Sequence, residues 1–428
     1  MITSTDLNFE REPLAAPFGF KGGYLSELWQ TIARVATDTG AVGVGTGIQS
    51  VLWSDPRVFL NRPESSGNAL MYAITSRALE LVKGSEVSAP LDLLQQVLPE
   101  LIQYGGNITG IDIKPTFALN AYVPVDNAIW LAHAMEIRSV EFDDIIPAHV
   151  RSALSARSDK VISVPAVGYG MSLDAIESLV NAGNYVLKIK IGSDPAKNGD
   201  QDAMLAWDMQ RMSEIQTRVG SRFGGPKGDE QVRYYLDANQ RYDSPERLMR
   251  LLEHLDRIGA LAQTILLEEP FAEENMSSVS KFPVCVVADE SAHTERDVSD
   301  RIDLGYGAIA LKPVAKTLSM TFEIARVAAE RGVTCFCADL TVHPLLVDWN
   351  KSIAARCVPL PGLKASLLEN NGVQNYPDWE RLIRYHPRGD AKWVRPSRGE
   401  FVIDDEFYRT GGGIFDVSSH YASLVSRG

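Results

Sequence analysis

Five successive apolar segments of the chain end in charged residues whose types and spacing could do chemistry together. Lys188 and Lys190 alternate at the end of the first segment, and Lys312 ends the last. The three segments between them end in carboxylates, in the motifs LDAN (236–239), LLEEP (266–270) and ADES (288–291). Converging carboxylates without histidine or cysteine form an all-oxygen site, which prefers Mg²⁺ or Mn²⁺ to zinc. The pattern predicts such a metal site between lysines.

Lysines beside a metal-bound carboxylate suit the removal of a proton from the neighbouring carbon. That proton is weakly acidic because its loss leaves an enediolate dianion, and a divalent metal offsets the developing charge. A neutral lysine can take the proton, and the like charge of Lys188 would lower the pKa of Lys190. For a single carboxylate, a solvated strand end or a salt bridge is the simpler explanation, but five charged segment ends in succession favour a site.

The segments that carry these residues belong to a regular alternation of strands and helices. Alternating strands and helices indicate parallel strands in βα units, and eight units over about 230 residues fit a (β/α)₈ barrel. A doubly wound open sheet is the alternative. In a barrel, strands 2 and 6 are diametrically opposite, so Lys190 and Lys312 would flank a substrate carbon. The predicted strands are 161–168, 185–192, 232–239, 264–270, 284–291, 308–313, 333–340 and 363–370.

The chain before the barrel has a different pattern, which predicts an α+β unit. Residues 28–52 predict two strands around the turn Asp38-Thr39-Gly40, and 66–84 and 90–104 have helical apolar spacing. A helix over 126–139 then leads into the barrel. The tail from about residue 373 leaves the βα rhythm and is expected to return to the N-terminal unit. The predicted domains are 1–125, 126–370 and 371–428.

Two glycine-rich stretches could suggest phosphate loops, and both are better explained otherwise. GVGTG (43–47) has no helix after it and is predicted to be a strand. SRFGGPKGDEQ (221–231) lacks the spacing of a phosphate loop and is predicted to be a mobile surface insertion.

Composition narrows the class of protein. The 428 residues carry a net charge of −13 with a pI near 5.1, which argues against a nucleic-acid or membrane-surface protein. No apolar run approaches the roughly 20 residues of a transmembrane helix, and the N-terminus does not resemble a secretory signal. The 4 cysteines are too few for a disulfide framework, and Cys335 and Cys337 fit buried thiols better than a zinc site. We therefore expect a cytoplasmic enzyme.

Taken in order, KIK (188–190), LDAN, LLEEP, ADES and LKP (311–313) resemble the motifs of the enolase superfamily, in the mandelate racemase and muconate lactonizing enzyme branch. The lysine on strand 6 is similar to that of the muconate lactonizing subgroup. The resemblance implies a barrel with an α+β N-terminal capping domain completed by the C-terminal tail. It also implies a Mg²⁺ cofactor, with Mn²⁺ as a substitute. The implied metal ligands are Asp237, Glu268 and Asp289, and the implied acid/base pair is Lys190 and Lys312.

The same resemblance gives roles to residues around this centre. It implies that Lys188 tunes Lys190 and contacts the substrate carboxylate, and that Asn239 and Glu269 support the ligands beside them. Glu290 is expected to face outward or to bond to its neighbours. Loops near 18–23 and 53–55 of the capping domain would close over the barrel mouth, with Phe20 and Trp53 contacting the substrate.

Departures from the family's motifs bear on the substrate. Dipeptide epimerases carry an Asp-x-Asp motif after strand 8, where this chain has Glu369. Glu369 and Asp339, at the ends of strands 8 and 7, are predicted to meet a polar group of the substrate. Mandelate racemase-like members use an Asp–His dyad on strands 6 and 7. Because strand 6 here ends in Lys312, His343 is expected to be structural or to line the cavity.

The favoured function is an isomerase that racemises or epimerises a carbon next to a carboxylate, in an amino-acid derivative or a dipeptide. A dehydratase or lyase of a sugar acid or hydroxy acid, or a cycloisomerase, begins with the same proton abstraction. A non-catalytic binding barrel would be favoured if a ligand or a lysine were replaced, and none is. The expected partner is a small-molecule carboxylate, and we expect a homo-oligomer whose size the sequence does not define.

Overall fold

A computed structural model describes residues 1–425; the last three residues of the predicted tail, 426–428, lie outside the described residues. The chain opens with an antiparallel sheet in the order β1-β2-β3. Its strands are β1 (Ile2–Phe20), β2 (Gly23–Thr37) and β3 (Val42–Gln49). The two strands predicted around Asp38-Thr39-Gly40 are therefore confirmed as β2 and β3, and GVGTG lies within β3.

Six helices follow this sheet in the chain. They are α1 (Val51–Ser54), α2 (Pro56–Leu60), α3 (Glu64–Val82), α4 (Pro90–Thr109), α5 (Pro115–Glu136) and α6 (Phe142–Ile145). The helices predicted at 66–84 and 90–104 are confirmed as α3 and α4. Helix α5 begins earlier than predicted, because it continues through Pro124 instead of starting after it. The predicted boundary at residue 125 thus falls inside α5.

Strand β3 and helix α5 approach each other closely through glycines. A Cβ atom at Gly43 or Gly45 would collide with the α5 backbone at Ala128, and one at Gly47 would lie 2.7 Å from the Pro124 ring. The alternating glycines of GVGTG therefore let the helix backbone lie directly on the strand.

Eight parallel strands then close into a ring. Pro165, which has no N–H to donate, divides the first of them into β4 and β5. Strand β4 pairs with β14 and β5 pairs with β6, so the two halves join the ends of the sheet. This closure confirms the barrel and excludes the doubly wound sheet. The strands after β3 are β4 (Lys160–Val164), β5 (Ala166–Val167), β6 (Val186–Lys190), β7 (Phe223–Gly224), β8 (Glu230–Gln231), β9 (Arg233–Asp237), β10 (Thr264–Glu268), β11 (Val286–Ala288), β12 (Ala308–Leu311), β13 (Thr334–Cys337), β14 (Leu367–Glu369) and β15 (Glu400–Val402).

Barrel strands alternate between an interior face and a helix-covered face. On β12, Ala308 and Ala310 join the interior cluster with Phe336, whereas Ile309 and Leu311 pack outward. The helices outside are α7 (Leu173–Asn181), α8 (Gln201–Val219), α9 (Pro245–Arg257), α10 (Glu295–Asp303), α11 (Pro313–Lys316), α12 (Leu318–Glu330) and α13 (Pro344–Ala354).

The glycine-rich stretch 221–231 forms a small hairpin of β7 and β8. The hairpin is tied to the barrel because Gly225 N donates to Gly183 O at 2.7 Å and Arg398 Nε donates to Gly225 O at 3.0 Å. It packs beside Tyr185, at the amino end of β6, and therefore far along the strand from the charged ends.

The tail contacts both parts of the molecule. Strand β15 pairs antiparallel with β4. Beyond it, Tyr421 Oη donates to Gln30 Oε1 at 3.2 Å, and Asn8 Nδ2 donates to Leu424 O at 2.8 Å. The remaining helices are α14 (Gly372–Asn375), α15 (Trp379–Arg384), α16 (Asp405–Thr410) and α17 (Ser419–Leu424). Within residues 1–425, no helix combines the length and apolar character needed to cross a membrane.

Gly45→Ala should lower the unfolding free energy by about 1–3 kcal/mol or more, because the added methyl forces α5 away from β3. Gly170→Ala is the matched control: nothing lies within 4 Å of the added Cβ, so its effect should stay within about 0.5 kcal/mol. Denaturant unfolding followed by circular dichroism measures both. Equal effects of the two substitutions would contradict the close β3–α5 contact.

Candidate active site

Carboxylates gather at the carboxyl ends of three neighbouring barrel strands. Asp237 ends β9, Glu268 ends β10, and Asp289 follows β11 directly; all three are buried. Carboxylate oxygens of Glu268, Asp289 and Glu290 lie within 4.8 Å of one another. Asp237 stands beside this trio with its oxygens engaged by Asn239 and two lysines. The predicted ligands therefore meet at one face of the barrel.

Lysines on opposite strands bind different members of this acidic group. On β6, Lys190 Nζ lies 2.5 Å from Asp237 Oδ2. After β12, Lys312 Nζ lies 2.5 Å from Asp289 Oδ2. Strands β6 and β12 are four places apart in the ring of eight. The two lysines thus hold opposite sides of the acidic group.

Lys188 sits at the centre of the barrel mouth. Its ammonium lies 3.0 Å from Asp237 Oδ2, 2.9 Å from Glu268 Oε2 and 2.9 Å from Glu369 Oε2. Burial lowers the pKa of Lys188, but the surrounding carboxylates outweigh burial and raise it well above its usual value. Lys188 is accordingly a fixed positive charge that joins strands on both sides of the barrel.

The buried charges shift the pKa values of the acidic group in opposite directions. Burial raises the pKa of Glu268, and the charges of Asp289 and Glu290 add to that rise. Burial also acts on Asp237, but Lys188 and Lys190 outweigh it and lower the pKa of that carboxyl to about 2. Burial also acts to raise the pKa of Asp289, but neighbouring lysines, Lys312 first, outweigh it, and the pKa of that carboxyl falls below its ordinary range.

Asn239 and Glu269 connect these groups to each other. Asn239 Oδ1 accepts from Lys190 Nζ at 2.9 Å, and Asn239 Nδ2 donates to Glu290 Oε1 at 2.9 Å. Glu269 Oε1 accepts from the Asp289 and Ser291 amides at 2.7 and 2.8 Å. Both residues have left-handed backbone, with φ of 42° and 40°. Such conformations concentrate where a structure holds functional groups in place.

Glu290 faces the site instead of pointing outward. It is buried, accepts from Asn239, and pairs with Lys21 of the N-terminal unit at 3.2 Å. Of the two alternatives expected for Glu290, the outward side chain is therefore wrong and the bonding to neighbouring groups is observed. The strand β11 ends at Ala288. Beyond a strand's last residue, the strict alternation of side chains no longer applies.

The N-terminal unit closes the barrel mouth with two aromatic side chains. Phe20 places its ring centroid 6.0 Å from Lys190 Nζ, and Trp53 places its ring centroid 4.4 Å from Lys312 Nζ. Below them lies a narrow cavity of about 40 Å³ that the charged strand ends also line.

The ends of β13 and β14 bring two further acids to the cavity, Asp339 and Glu369. Asp339 Oδ2 accepts from Asn371 N at 2.9 Å, while Oδ1 has no hydrogen-bond partner among residues 1–425. Burial, together with the charge of Glu369, raises the pKa of Asp339 to about 7. Asp339 thus offers the cavity a carboxyl group that can hold a proton near neutral pH.

His343 lies outside the cavity. Its buried ring packs 4.9 Å from the Tyr421 ring, and neither nitrogen has a hydrogen-bond partner within the described part of the chain. Burial lowers its pKa to about 3. A neutral histidine packed against the tail is consistent with the expected structural role.

Lys316 is a buried member of the site that sequence analysis missed. It lies one helical turn after Lys312, and its Nζ donates to Asp289 O at 2.6 Å. Burial lowers its pKa, and Lys312 adds to the effect. The spacing of Lys316 from Lys312 in LKPVAK could have indicated this position, since residues four apart share one helix face.

The donor set suits a hard divalent cation. The oxygens of Glu268, Asp289 and Glu290 converge without a sulfur or imidazole ligand, which fits Mg²⁺ or Mn²⁺. Glu290 Oε2 is buried and has no hydrogen-bond partner in residues 1–425. A buried carboxylate oxygen without a donor is costly, and a coordinated cation would satisfy it.

Strand β6 is held in position from behind by Asp208 of α8. The carboxylate of this buried residue accepts from Gly192 N at 2.7 Å and from Tyr242 Oη at 2.7 Å. Burial raises the pKa of Asp208 to about 7, although these hydrogen bonds oppose the rise. The chain just beyond Lys190 is thereby anchored to two neighbouring elements.

Comparison with known proteins finds a family model that matches the central part of the chain. Residues 171–361, which hold the second to seventh barrel strands, match the family model described as Enolase C-terminal domain-like. By sequence, no curated protein is a significant match.

Solved structures share the fold of nearly the whole chain. A mandelate racemase/muconate lactonizing protein from Herpetosiphon aurantiacus is 16% identical, with a TM-score of 0.65 over 96% of this chain and 97% of that chain. L-talarate dehydratase from Polaromonas sp. JS666 is 15% identical, with a TM-score of 0.65 over 100% and 97%. The L-Ala-D/L-Glu epimerase from Bacillus subtilis is 20% identical, with a TM-score of 0.61 over 86% and 89%.

Asp208→Asn should flatten the pH dependence of stability. Because folding raises the pKa of Asp208, the folded chain keeps a proton that the unfolded chain loses. The contribution of this group to stability therefore falls as pH rises from about 4 to about 7, by up to about 1.4 kcal/mol per pH unit. The substitution should remove that slope.

Urea unfolding at several pH values between 5 and 7 measures the difference between the two proteins. Glu214→Gln, at a half-buried position on α8 where the side chain accepts from Gln210, is the control and should keep the original slope. Unchanged pH dependence in Asp208→Asn would contradict a proton held at this site.

Proposed function

We propose that this chain, whose residues 171–361 match the Enolase C-terminal domain-like family model, is a Mg²⁺-dependent isomerase of the enolase superfamily that removes and returns a proton next to a carboxylate. The observation that carries the proposal is the opposed pair of lysines. Lys190 and Lys312 come from opposite strands, bind different carboxylates of one acidic group, and each lie beneath an aromatic side chain. Proton transfer on two faces needs one acid/base group on each side of the reacting carbon, and the two lysines are placed to supply these groups.

We assign the metal to Asp237, Glu268 and Asp289, with Glu290 as the residue that could replace Asp237 among the ligands. When bound, the metal would act as a Lewis acid that offsets the negative charge developing on the substrate carboxylate. Two of the proposed ligands, Asp237 and Asp289, are the carboxylates that pair with Lys190 and Lys312. The ion pairs of Lys190 and Lys312 would then weaken, freeing both side chains to meet a substrate.

Each lysine serves one face of the substrate carbon. Neutral Lys190 takes the proton from one enantiomer through its Nζ lone pair, while the ammonium of Lys312 delivers a proton to the other face. The reverse reaction exchanges these roles. Lys188 stays charged and contacts the substrate carboxylate, and Asn239 holds Lys190 in place.

The rest of the cavity sets the substrate. We propose that residues 1–125 form the capping domain. Two of its side chains, Phe20 and Trp53, form an apolar wall of the cavity. Asp339 and Glu369 stand on the opposite side and suit a donor-bearing group such as an ammonium or an amide. An amino-acid derivative or a dipeptide has both features. Its polar end would meet these acids while its apolar side chain lies under the aromatic cover.

Asp339 also supports a second candidate, a dehydratase of a hydroxy acid. Its pKa of about 7 leaves the carboxyl partly protonated near neutral pH. Elimination of water requires a proton for the departing hydroxyl, and Asp339 lines the same cavity as the lysines. In that reaction one lysine would remove the proton, and Asp339 would act as the general acid.

Substitution of the ligands tests the metal site. Glu268→Gln and Asp289→Asn should each weaken Mg²⁺ binding more than about 100-fold, since loss of a residue that only supports a ligand typically costs about 10–100-fold. Calorimetric titration with MgCl₂ measures the affinity. Lys190→Ala and Lys312→Ala are controls that should still bind the metal. Retained affinity in Glu268→Gln would contradict this assignment.

The third ligand is decided by comparing Asp237→Asn with Glu290→Gln in the same titration. If Asp237 is a ligand, Asp237→Asn should weaken Mg²⁺ binding as much as Glu268→Gln and Asp289→Asn do. Glu290→Gln should then weaken it only by the about 10–100-fold expected of a supporting residue. The opposite order would assign the position to Glu290.

Substitution of the lysines tests two-face transfer. Lys190→Ala should abolish α-proton exchange from one stereoisomer, and Lys312→Ala should abolish it from the other. Loss of a positioned base should cost on the order of 10²–10⁴-fold. The measurement is NMR-detected exchange in deuterated water across N-acyl amino acids, dipeptides and sugar acids, with both isomers of every active compound.

Two results would redirect the assignment. Loss for both isomers in one variant, with little effect in the other, would favour the one-base dehydratase. Absence of exchange from every carboxylate in the wild-type protein would instead favour a binding barrel. Lys83→Ala, at an exposed position after α3, is the matched control and should exchange at the wild-type rate.

A further inference from the structure

One lysine of the N-terminal unit reaches from the cover into the acidic group. Lys21 is the first residue of a two-residue turn between β1 and β2, where it has φ of 48° and Gly22 has φ of 79°. Positive φ at both positions is the geometry of a tight hairpin turn. Its side chain is nevertheless only 6% exposed, because it turns inward.

The Lys21 ammonium joins three separate pieces of the molecule. It donates to Trp53 O at 3.0 Å, which ties the hairpin to the second covering segment. It also lies 3.2 Å from Glu290 Oε1, which ties both segments to the barrel. We define the lid as residues 18–23 and 53–55. Lys21 thus links both halves of the lid to the residue that follows Asp289.

The same contact continues to the proposed base. Glu290 Oε1, which binds Lys21, also accepts from Asn239 Nδ2 at 2.9 Å. Asn239 Oδ1 in turn accepts from Lys190 Nζ at 2.9 Å. An unbroken path of polar contacts therefore runs from the tip of the lid to Lys190.

We propose that Lys21 is a positioning residue that latches the lid closed and sets the position of Lys190 through Glu290 and Asn239. The second half of this inference rests on the proposed function, whereas the latch itself does not. The buried Glu290 charge is the physical reason for the latch. With the lid closed it is compensated by Lys21, and an uncompensated charge there would favour the open lid, where water can reach it.

The experiment compares hydrogen exchange of lid backbone amides in full-length Lys21→Met and wild type, both with MgCl₂. Lys21→Met keeps the length of the side chain and removes its charge. Lid amides should exchange at least about tenfold faster in the variant, because removing one member of a buried pair strongly disfavours the closed state. Barrel amides should be unchanged. Lys83→Met is the control and should match wild type.

Two more variants test the pairing itself. Lys21→Arg retains the charge and should restore slow lid exchange. In a Glu290→Gln background, Lys21→Met should add little, because the charge that needed compensation is gone. Additive effects of the two substitutions would overturn the pairing. Wild-type lid exchange in Lys21→Met, or faster exchange throughout the barrel, would overturn the latch.

The link to Lys190 has its own readout. On the best substrate of the carboxylate panel, Lys21→Met should reduce the saturating rate of α-proton exchange from the isomer that Lys190 serves, and Lys21→Arg should recover it. An equal loss from both isomers would overturn the link while leaving the latch in place. If no compound exchanges in the wild-type protein, the proposed function and this link fail together, and lid exchange still decides the latch.

Discussion

Burial of negative charge at the barrel mouth is the constraint on which the rest of the site depends. Six acidic side chains line the cavity: Asp237, Glu268, Asp289, Glu290, Asp339 and Glu369. Isolated buried carboxylates are far too costly to keep charged, so each needs a cation, a proton or several donors. The chain supplies five lysines, of which three line the cavity, one comes from the lid and one from α11. Protonation of Asp339 relieves part of the remainder.

The need to compensate each buried carboxylate restricts the strand ends and the backbone that carry these groups. Parallel strands in a closed ring bring all their carboxyl ends to one face, so charges from distant parts of the chain meet there. The backbone must then place every group within hydrogen-bond reach, and Asn239 and Glu269 adopt left-handed conformations to do so. Helix α5 lies on β3 through glycines, and its Asp126 accepts from the amide and hydroxyl of Ser319 on α12, which joins the N-terminal sheet to the barrel. Both segments of the lid adjoin strands of this sheet, since residues 18–23 connect β1 to β2 and residues 53–55 follow β3.

The residues on regular strands could be predicted from the sequence, since side-chain alternation follows from strand geometry alone. Lys188 and Lys190 share the inner face of β6, and all eight predicted barrel strands are present. Glu290 lies past the end of β11, where alternation gives no guide. Strand β1 was missed because its exposed positions carry polar residues and prolines. No sequence pattern around Lys21 predicts its role, because its partner Glu290 is distant in the sequence and only the fold brings the two together.

Charge balance also couples lid closure to the substrate. The lid brings one of the five lysines with it, so the open mouth is more negative than the closed mouth by one charge. The carboxylate substrate that we propose would add a further negative charge in the same confined space. Closure places the Lys21 ammonium near this charge and removes water, which strengthens every electrostatic interaction inside. The carboxylate and the closed lid therefore stabilise each other. The proposed latch of Lys21 therefore bears on both the entry of a substrate and its retention.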